Sequence, residues 1–336
     1  MKLLAGAINV FVFGPGYGEF IAVHVPPDGW LAIDGCAAGG VPYAPLFFDR
    51  LNVTPTHVMM THPHLDHAKG IVDLIEKATR GAPTTWPRLG VFEPPRQRPS
   101  RRNAVAAFET KVALQVLNAM KTRWRRNPAC RWDLSVGSTE PVGAGEVRVL
   151  SPETVPEKMP KHFDWNSLST ALDLTWNNHR LILGSDLVES PGKGWSKALT
   201  RFGPLPFRAL KIAHHGSLEA QHGPLLGQHL HRASVFVATP FTNSRLPRFG
   251  PGEGIAMLQR HSARLLLTGL PQKYEDQSGQ TRTLKRSALH RMEKKGFGPD
   301  TPARGFPDCY VQLTLNAPGQ LNVRAHGPGS VVILPG

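Results

Sequence analysis

At 336 residues and 40% hydrophobic content, the chain is long enough for one large domain or two modest ones, with a sizeable core. No apolar run approaches the roughly 18 to 20 residues that span a bilayer, and the start carries no signal-peptide core or small-residue cleavage site, so the expectation is a cytoplasmic protein without membrane contact. Cys36, Cys130 and Cys309 are few, odd in number and far apart, which argues against a disulfide framework or a thiolate metal site, while 39 Lys and Arg against 25 Asp and Glu leave a charge of +14 that favours anionic partners: nucleic acid, nucleotides or phosphoesters.

In chain order, strand-like runs at Ile8 to Phe13 and Phe20 to Val25 flank the glycine-rich turn GPGYG, and Trp30 to Asp34 adds a third before another glycine-rich loop. Val58 to Thr61 reads as a short buried strand and Ala68 to Ala78 as a helix, so the His-rich segment between them lies at a strand-to-helix turn. Residues 83 to 102 read as a Pro-rich basic linker. The next twenty, 103 to 122, have Val105, Phe108, Val112, Val116 and Met120 at helical spacing. This basic insert, about 94–132, offers a surface for nucleic acid or phosphate; Trp124 and Trp132 within it read first as core anchors and second as base-stacking platforms. Further strands are expected at 147–150, 169–176, 180–183, 209–213, 234–238 and 264–267, interleaved with helices, which implies a layered α/β domain over residues 1–270. Residues 271–336 read as an extension of one helix and a β-hairpin packed on that domain.

The strongest chemical signal is Thr61-His-Pro-His-Leu-Asp-His67, which puts three imidazoles and a carboxylate within six residues of one turn. Neutral imidazoles and carboxylates suit zinc, and an irregular turn aims His62 and His64 one way and Asp66 and His67 another, as two adjacent cations require. Two apolar runs end in further donors: Leu181-Ile-Leu-Gly-Ser-Asp186, whose carboxylate has the position of a bridge, and Leu210-Lys-Ile-Ala-His-His-Gly-Ser217, where one of the adjacent histidines is expected to touch metal. Glu219 reads as a solvated residue at a helix start, and the remaining scattered histidines as surface or hydrogen-bonded ones.

These motifs resemble the metallo-β-lactamase superfamily, specifically the hydrolase domain of the competence DNA-uptake protein ComEC and its stand-alone relatives, over about residues 8 to 270. The matching segments are GPGYGEFIAV with WLAIDG, THPHLDHAKG, NSLSTALDLTW, LILGSD and LKIAHHGS. The resemblance implies a four-layer αββα sandwich with two divalent ions at one edge, zinc ahead of manganese. It implies His62 and His64 on one ion, Asp66 and His67 on the other, Asp186 bridging, and Asp34 orienting ligand histidines. The third ligand of the first ion is open between Asn166, His162 and water. Where the relatives carry a tyrosine and histidine after the HHGS turn, this chain has Arg245 and Arg248, which suggests phosphate contact or a different substrate.

Hydrolysis by a two-metal-activated water is the expected reaction, with Asp66 and Asp186 essential. His214 is taken as the ligand and His215 as the residue for proton transfer, with Ser217 beside substrate. A nuclease or phosphodiesterase acting on DNA or another phosphoester ranks first. A thioester, lactone or lactam hydrolase ranks second, and a non-catalytic nucleic-acid-binding scaffold third.

Overall fold

The computed structural model describes residues 2–14, 18–38, 40–91, 104–153, 164–189, 193–203, 205–241, 244, 246–248, 254–261, 264–269, 273–275, 281–283, 310–326 and 331–333. His162, Arg245, Cys309 and residues 284–309 of the segment expected to begin with a helix beyond about residue 270 lie outside these described residues; where that segment is described, at 273–275 and 281–283, it is strand and not helix. The strands are β1 (Ala7–Phe13), β2 (Phe20–Val25), β3 (Gly29–Ile33), β4 (Ala37–Ala38), β5 (Val41–Pro42), β6 (His57–Met60), β7 (Arg88–Val91), β8 (Thr139–Val142), β9 (Gly145–Val149) and β10 (Leu172–Trp176). They continue with β11 (His179–Leu183), β12 (Phe207–Lys211), β13 (Leu230–Ala238), β14 (Arg264–Leu267), β15 (Lys273–Glu275), β16 (Thr281–Thr283), β17 (Tyr310–Asn316), β18 (Leu321–His326) and β19 (Val331–Ile333). Helices are α1 (Tyr43–Leu51), α2 (Leu65–Ala68), α3 (Ile71–Ala78), α4 (Ala104–Arg126), α5 (Gly194–Ala198), α6 (Gly223–Gln228) and α7 (Gly254–Gln259).

Two large sheets result, one ordered β18-β17-β1-β2-β3-β6-β7 and the other β19-β14-β13-β12-β11-β10-β9-β8. Side chains alternate across a strand, so each sheet divides its apolar residues between two faces. Val10, Val12, Val23 and Leu31 of the first sheet pack with Val147, Leu174, Leu181 and Val235 of the second, which forms the layer between the sheets. The opposite face of the first sheet, with Phe11, Phe13, Ala22 and Met60, buries against Phe47 and Phe48 of α1, Leu74 and Ile75 of α3, and Val116 and Met120 of α4. That of the second, with Ile182, Leu210, Phe236 and Leu265, buries against Trp195, Leu225, Leu226 and Leu258 from α5, α6 and α7. The order is helix, sheet, sheet, helix: the αββα sandwich expected from the resemblance.

Several expected elements shift for physical reasons. The single helix expected over 68–78 is two, α2 and α3, because the chain turns at Gly70 with φ +83. The expected linker contains β7, a parallel edge strand of which Leu89, Gly90 and Val91 are buried; strand content so short and flanked by prolines emerges only from pairing with β6. The C-terminal hairpin β17–β18 is hydrogen-bonded into the first sheet, with β17 antiparallel to β1 over seven residue pairs, and β19 pairs with β14 in the second. Both ends of the described chain therefore share one pair of sheets. Trp124 and Trp132 are buried, Trp124 donating from Nε1 to the Leu89 carbonyl, so the core-anchor reading applies to both. The guanidiniums of Arg126 and Arg131 lie over Trp86 and Trp124 at 5.2 Å, so two of the insert's cations cover aromatic faces of the fold. No helix among the described residues is long and apolar enough to cross a membrane.

The arrangement that matters most is polarity. β3, β6 and β7 run parallel, as do β11, β12, β13 and β14. The turns leaving the ends of β3, β6, β11, β12 and β13 carry Asp34, His62 to His67, Asp186, His214 with His215, and Thr239 respectively. Ligand sites in α/β sheets form outside the carboxyl ends of parallel strands, and here both sheets present those ends at one edge.

Candidate metal centre

Two donor clusters converge at that edge, and in each the ligand atoms lie within 4.8 Å of one another: Asp66, His67, Asp186 and His215, and His62, His64 and Asp186. A tetrahedron with bonds of about 2.0 to 2.2 Å has edges of about 3.3 to 3.6 Å. In the first cluster His67 Nε2 is 3.3 Å from Asp186 Oδ2 and 3.7 Å from Asp66 Oδ2, while His215 Nε2 is 3.6 and 3.5 Å from the same two atoms. In the second, His62 Nε2 is 3.8 Å from Asp186 Oδ2 and 3.0 Å from His64 Nδ1. His67 Nε2, His215 Nε2 and Asp186 Oδ1 are buried without a hydrogen-bond partner among the described residues. Buried polar atoms are ordinarily paired, and the two orphan imidazole nitrogens converge on Asp186 Oδ2 and Asp66 Oδ2, an arrangement that fits a cation. Imidazole and carboxylate donors at these separations suit divalent ions such as zinc.

The ring orientations follow from a proton count. Asp34, 1% exposed, accepts from the Thr61 N–H at 2.7 Å, the Thr61 hydroxyl at 2.6 Å and His67 Nδ1 at 2.7 Å. A carboxylate only accepts, so the His67 proton sits on Nδ1 and Nε2 faces the cluster. The Thr61 hydroxyl, having given its proton to Asp34, accepts from Ser185 Oγ at 2.6 Å and from His62 Nδ1 at 3.0 Å. Ser185, its proton spent on Thr61, accepts from Ser169 Oγ at 2.7 Å, and Ser169 Oγ in turn accepts from the Asp186 N–H at 3.0 Å. One buried carboxylate thus orients His67 directly and His62 through a hydroxyl chain. Asp34 itself sits at φ +59, a strained conformation for a residue with a side chain, which its three buried hydrogen bonds hold in place.

Electrostatics follow the same geometry. Burial pushes the Asp66 and Asp186 carboxyls up, but His67 and His215 outweigh it and hold both below the usual carboxylate range. For His67 burial is outweighed by Asp186, Asp34 and Asp66, which raise it; His62 is lowered, chiefly by burial and then by His67 and His64. Burial raises Asp34 against the pull of His67 and Thr61. The pocket is a concentration of negative charge that a divalent cation neutralises, displacing the ring protons.

Of the paired histidines, the structure brings His215 into a donor cluster and not His214, the one expected as ligand. His215 Nε2 joins the four-donor cluster, whereas His214 is turned away, with Asn166 Nδ2 3.1 Å from its Nε2 and Ser217 Oγ 2.9 Å from its Nδ1. The reason is local: His214 and His215 both adopt left-handed backbone conformations, φ 45 and 54, so the turn swings consecutive side chains to places that no regular element supplies. Asn166 is buried beside the site with Oδ1 lacking a partner among the described residues. Ser217 and Arg248 line a cleft of about 350 Å³ next to His214, together with Glu219 and Ser244, and Arg248 is exposed.

Reading by motif missed Thr61, Ser169 and Ser185 as orienting groups, and Glu19, Lys211 and Thr239 behind His215. Their signal lies in polar residues set into apolar runs, such as Lys211 in Leu210-Lys-Ile-Ala213 and Glu19 ahead of Phe20-Ile-Ala-Val23. Gly18 was legible only as a turn; a Cβ there would lie 2.3 Å from the Asp66 carbonyl oxygen, so the turn packs directly on the ligand segment.

No family model and no curated protein matches the sequence. Among solved structures, similarity extends to the metallo-β-lactamase fold protein YhfI from Bacillus subtilis, at 12% identity over 70% of this chain and 86% of that one, with a TM-score of 0.39. It extends to the diiron β-hydroxylase CmlA from Streptomyces venezuelae, at 13% identity over 63% of this chain and 35% of that one, with a TM-score of 0.35. A third is a B3 metallo-β-lactamase with an active-site glutamic acid, at 13% identity over 56% and 62% of the two chains, with a TM-score of 0.29. The chain spans about a third of the length of CmlA. At these scores the likenesses carry no inference about activity, which has to come from the donors themselves.

Proposed function

We propose that the protein is a metal-dependent hydrolase that holds two divalent cations and cleaves a phosphodiester, with DNA or another anionic phosphoester as substrate. The observation that carries the reading is the convergence of unpartnered His67 Nε2 and His215 Nε2 with Asp186, Asp66, His62 and His64 at the carboxyl ends of parallel strands from both sheets. Asp66, His67 and His215 would hold one cation, His62 and His64 the other, and Asp186 would contact both. When bound, the pair lowers the pKa of a solvent molecule toward neutrality and stabilises charge developing on the substrate oxygen.

The chain's own residues supply the rest. Asp34 and the Thr61–Ser185–Ser169 chain keep His67 and His62 in the tautomer whose Nε2 faces the cluster. His214, held by Asn166 and Ser217 and lowered chiefly by burial, is neutral at physiological pH and lines the cleft, where it is the candidate for proton transfer once one of those two contacts is exchanged. Arg248 brings a positive charge to the cleft wall, and the overall charge of +14 draws anions towards the protein.

The test is hydrolysis of labelled single- and double-stranded DNA, RNA and a chromogenic phosphodiester by wild type, Asp66→Ala and Asp186→Ala, with metal content by elemental analysis. Cleavage that needs both carboxylates, with about two metals per chain, supports the reading. A metal-loaded protein that cuts no phosphodiester defeats the substrate assignment and directs attention to thioesters, lactones and lactams; a chain that takes up no metal defeats the hydrolase mechanism.

A further inference from the structure

Behind His215 lies a buried ion pair that the proposed chemistry does not use. Glu19, fully buried just before β2, and Lys211, 3% exposed at the end of β12, come from opposite sheets and pair through Oε2 and Nζ. Lys211 Nζ also donates to the Ser185 carbonyl at 3.3 Å. The Thr239 hydroxyl donates to Glu19 Oε2 at 2.7 Å and lies 3.0 Å from His215 Nδ1, with the Thr239 carbonyl at 3.2 Å. The Glu19 N–H reaches the Asp66 carbonyl at 3.2 Å.

Desolvating two charges is expensive, and a buried pair is often no more stabilising than apolar residues of the same volume. This pair is also imperfectly satisfied, because Glu19 Oε1 has no partner among the described residues. Stability alone is a poor account of it. Proton counting offers a better one. Glu19 only accepts, so the single Thr239 hydroxyl proton points at Oε2, and the hydroxyl oxygen can only accept from His215 Nδ1–H. That leaves the Nε2 lone pair directed at Asp66 and Asp186. Phe241, stacked on the ring at 4.9 Å between centroids, fixes its plane. The logic repeats that of Asp34 and His67 on the other side of the cluster, with a hydroxyl interposed.

We propose that the Glu19–Lys211 pair, acting through Thr239, is a positioning device that fixes the tautomer and orientation of His215 and so sets the affinity of the Asp66–His67–Asp186–His215 site. The proposal rests on the metal-binding reading of that cluster. It assigns Glu19, Lys211 and Thr239 a role toward one cation and none toward the His62–His64 side.

The test uses the full metal-free chain titrated with Co(II), read by visible ligand-field absorption and by metals bound per chain, with a thermal melt of each variant. Wild type is expected to bind two ions. Thr239→Val, and a Glu19→Gln/Lys211→Met double variant that leaves no charge buried alone, should each weaken one ion by about tenfold or more and leave the other unchanged. Thr239→Ser, which restores the hydroxyl, should recover wild-type affinity. Wild-type affinity for both ions in Thr239→Val and the double variant overturns the proposal, as the Thr239 carbonyl alone would then suffice. Equal weakening of both ions, in step with a lower melting temperature, also overturns it, because a mere structural staple behaves that way. Failure of wild type itself to bind Co(II) removes the metal reading and the proposal together, which separates that outcome from the other two.

Discussion

Replacing Asp34 by asparagine isolates what one buried carboxylate does for the site. The carboxylate accepts three hydrogen bonds of 2.6 to 2.7 Å, two at Oδ2 and one at Oδ1. Asparagine has one accepting oxygen. Placed on the Oδ2 side, it leaves its amide facing the Thr61 N–H; placed on the Oδ1 side, the amide faces His67 Nδ1–H and the Thr61 hydroxyl. Either way a buried bond to a charged acceptor becomes a donor–donor contact, a loss of about 2 to 3 kcal/mol of stability. In the second arrangement His67 must shift its proton to Nε2, where it blocks the cluster, so metal affinity should fall by about 10- to 100-fold, or roughly 1.4 to 2.8 kcal/mol. Competition against a chromophoric chelator, alongside thermal unfolding of the metal-free protein, reads both quantities. A lower melting temperature with undiminished metal affinity would refute the orienting role and reduce Asp34 to a fold contact.

Three other outcomes follow from the same geometry. His215→Ala should lose one of two bound metals, whereas His214→Ala should keep both and lose turnover by about 10²- to 10⁴-fold; the reverse pattern in elemental analysis restores the ligand role to His214. Arg180, buried, donates to both oxygens of Asp173 at 3.1 and 2.6 Å and to the carbonyls of Gly203 and Leu205, so Arg180→Met should cost about 3 to 5 kcal/mol by leaving Asp173 buried alone. Denaturant unfolding checks this, and an Asp173→Leu/Arg180→Met pair should recover much of the loss; a single variant as stable as wild type contradicts it. Burial lowers His57 to about 4 despite Glu140 nearby, so it is neutral in the folded chain and charged when unfolded between about pH 4 and 6.5. The unfolded state then binds the extra proton, and stability should fall as pH drops through that window by up to about 1.4 kcal/mol per pH unit from this residue. His57→Gln should flatten that part of the stability curve, and parallel curves for the two proteins would show that His57 titrates normally.

What reading along the chain determined was whatever chemistry is local. Thr61 to His67 packs four donors into one turn, so its use as a metal site is legible without knowing where the turn lies, and alternating or helical apolar spacing indicates most of the strands and the long insert helix. Asp186 and the His214–His215 pair were legible as donors at the ends of apolar runs. Which of two adjacent histidines serves was not, because the answer depends on two consecutive left-handed residues and on Thr239 and Asn166, each more than twenty positions away in sequence. β7 and the joining of β17 and β18 to β1 also required the fold, since a four-residue edge strand and a C-terminal hairpin carry no mark of their partners. The orienting groups were the least visible. Glu19, Lys211, Thr239 and Ser185 are ordinary residues singly, and they acquire meaning only when parallel strands from two sheets end side by side, where desolvation makes every proton's destination matter.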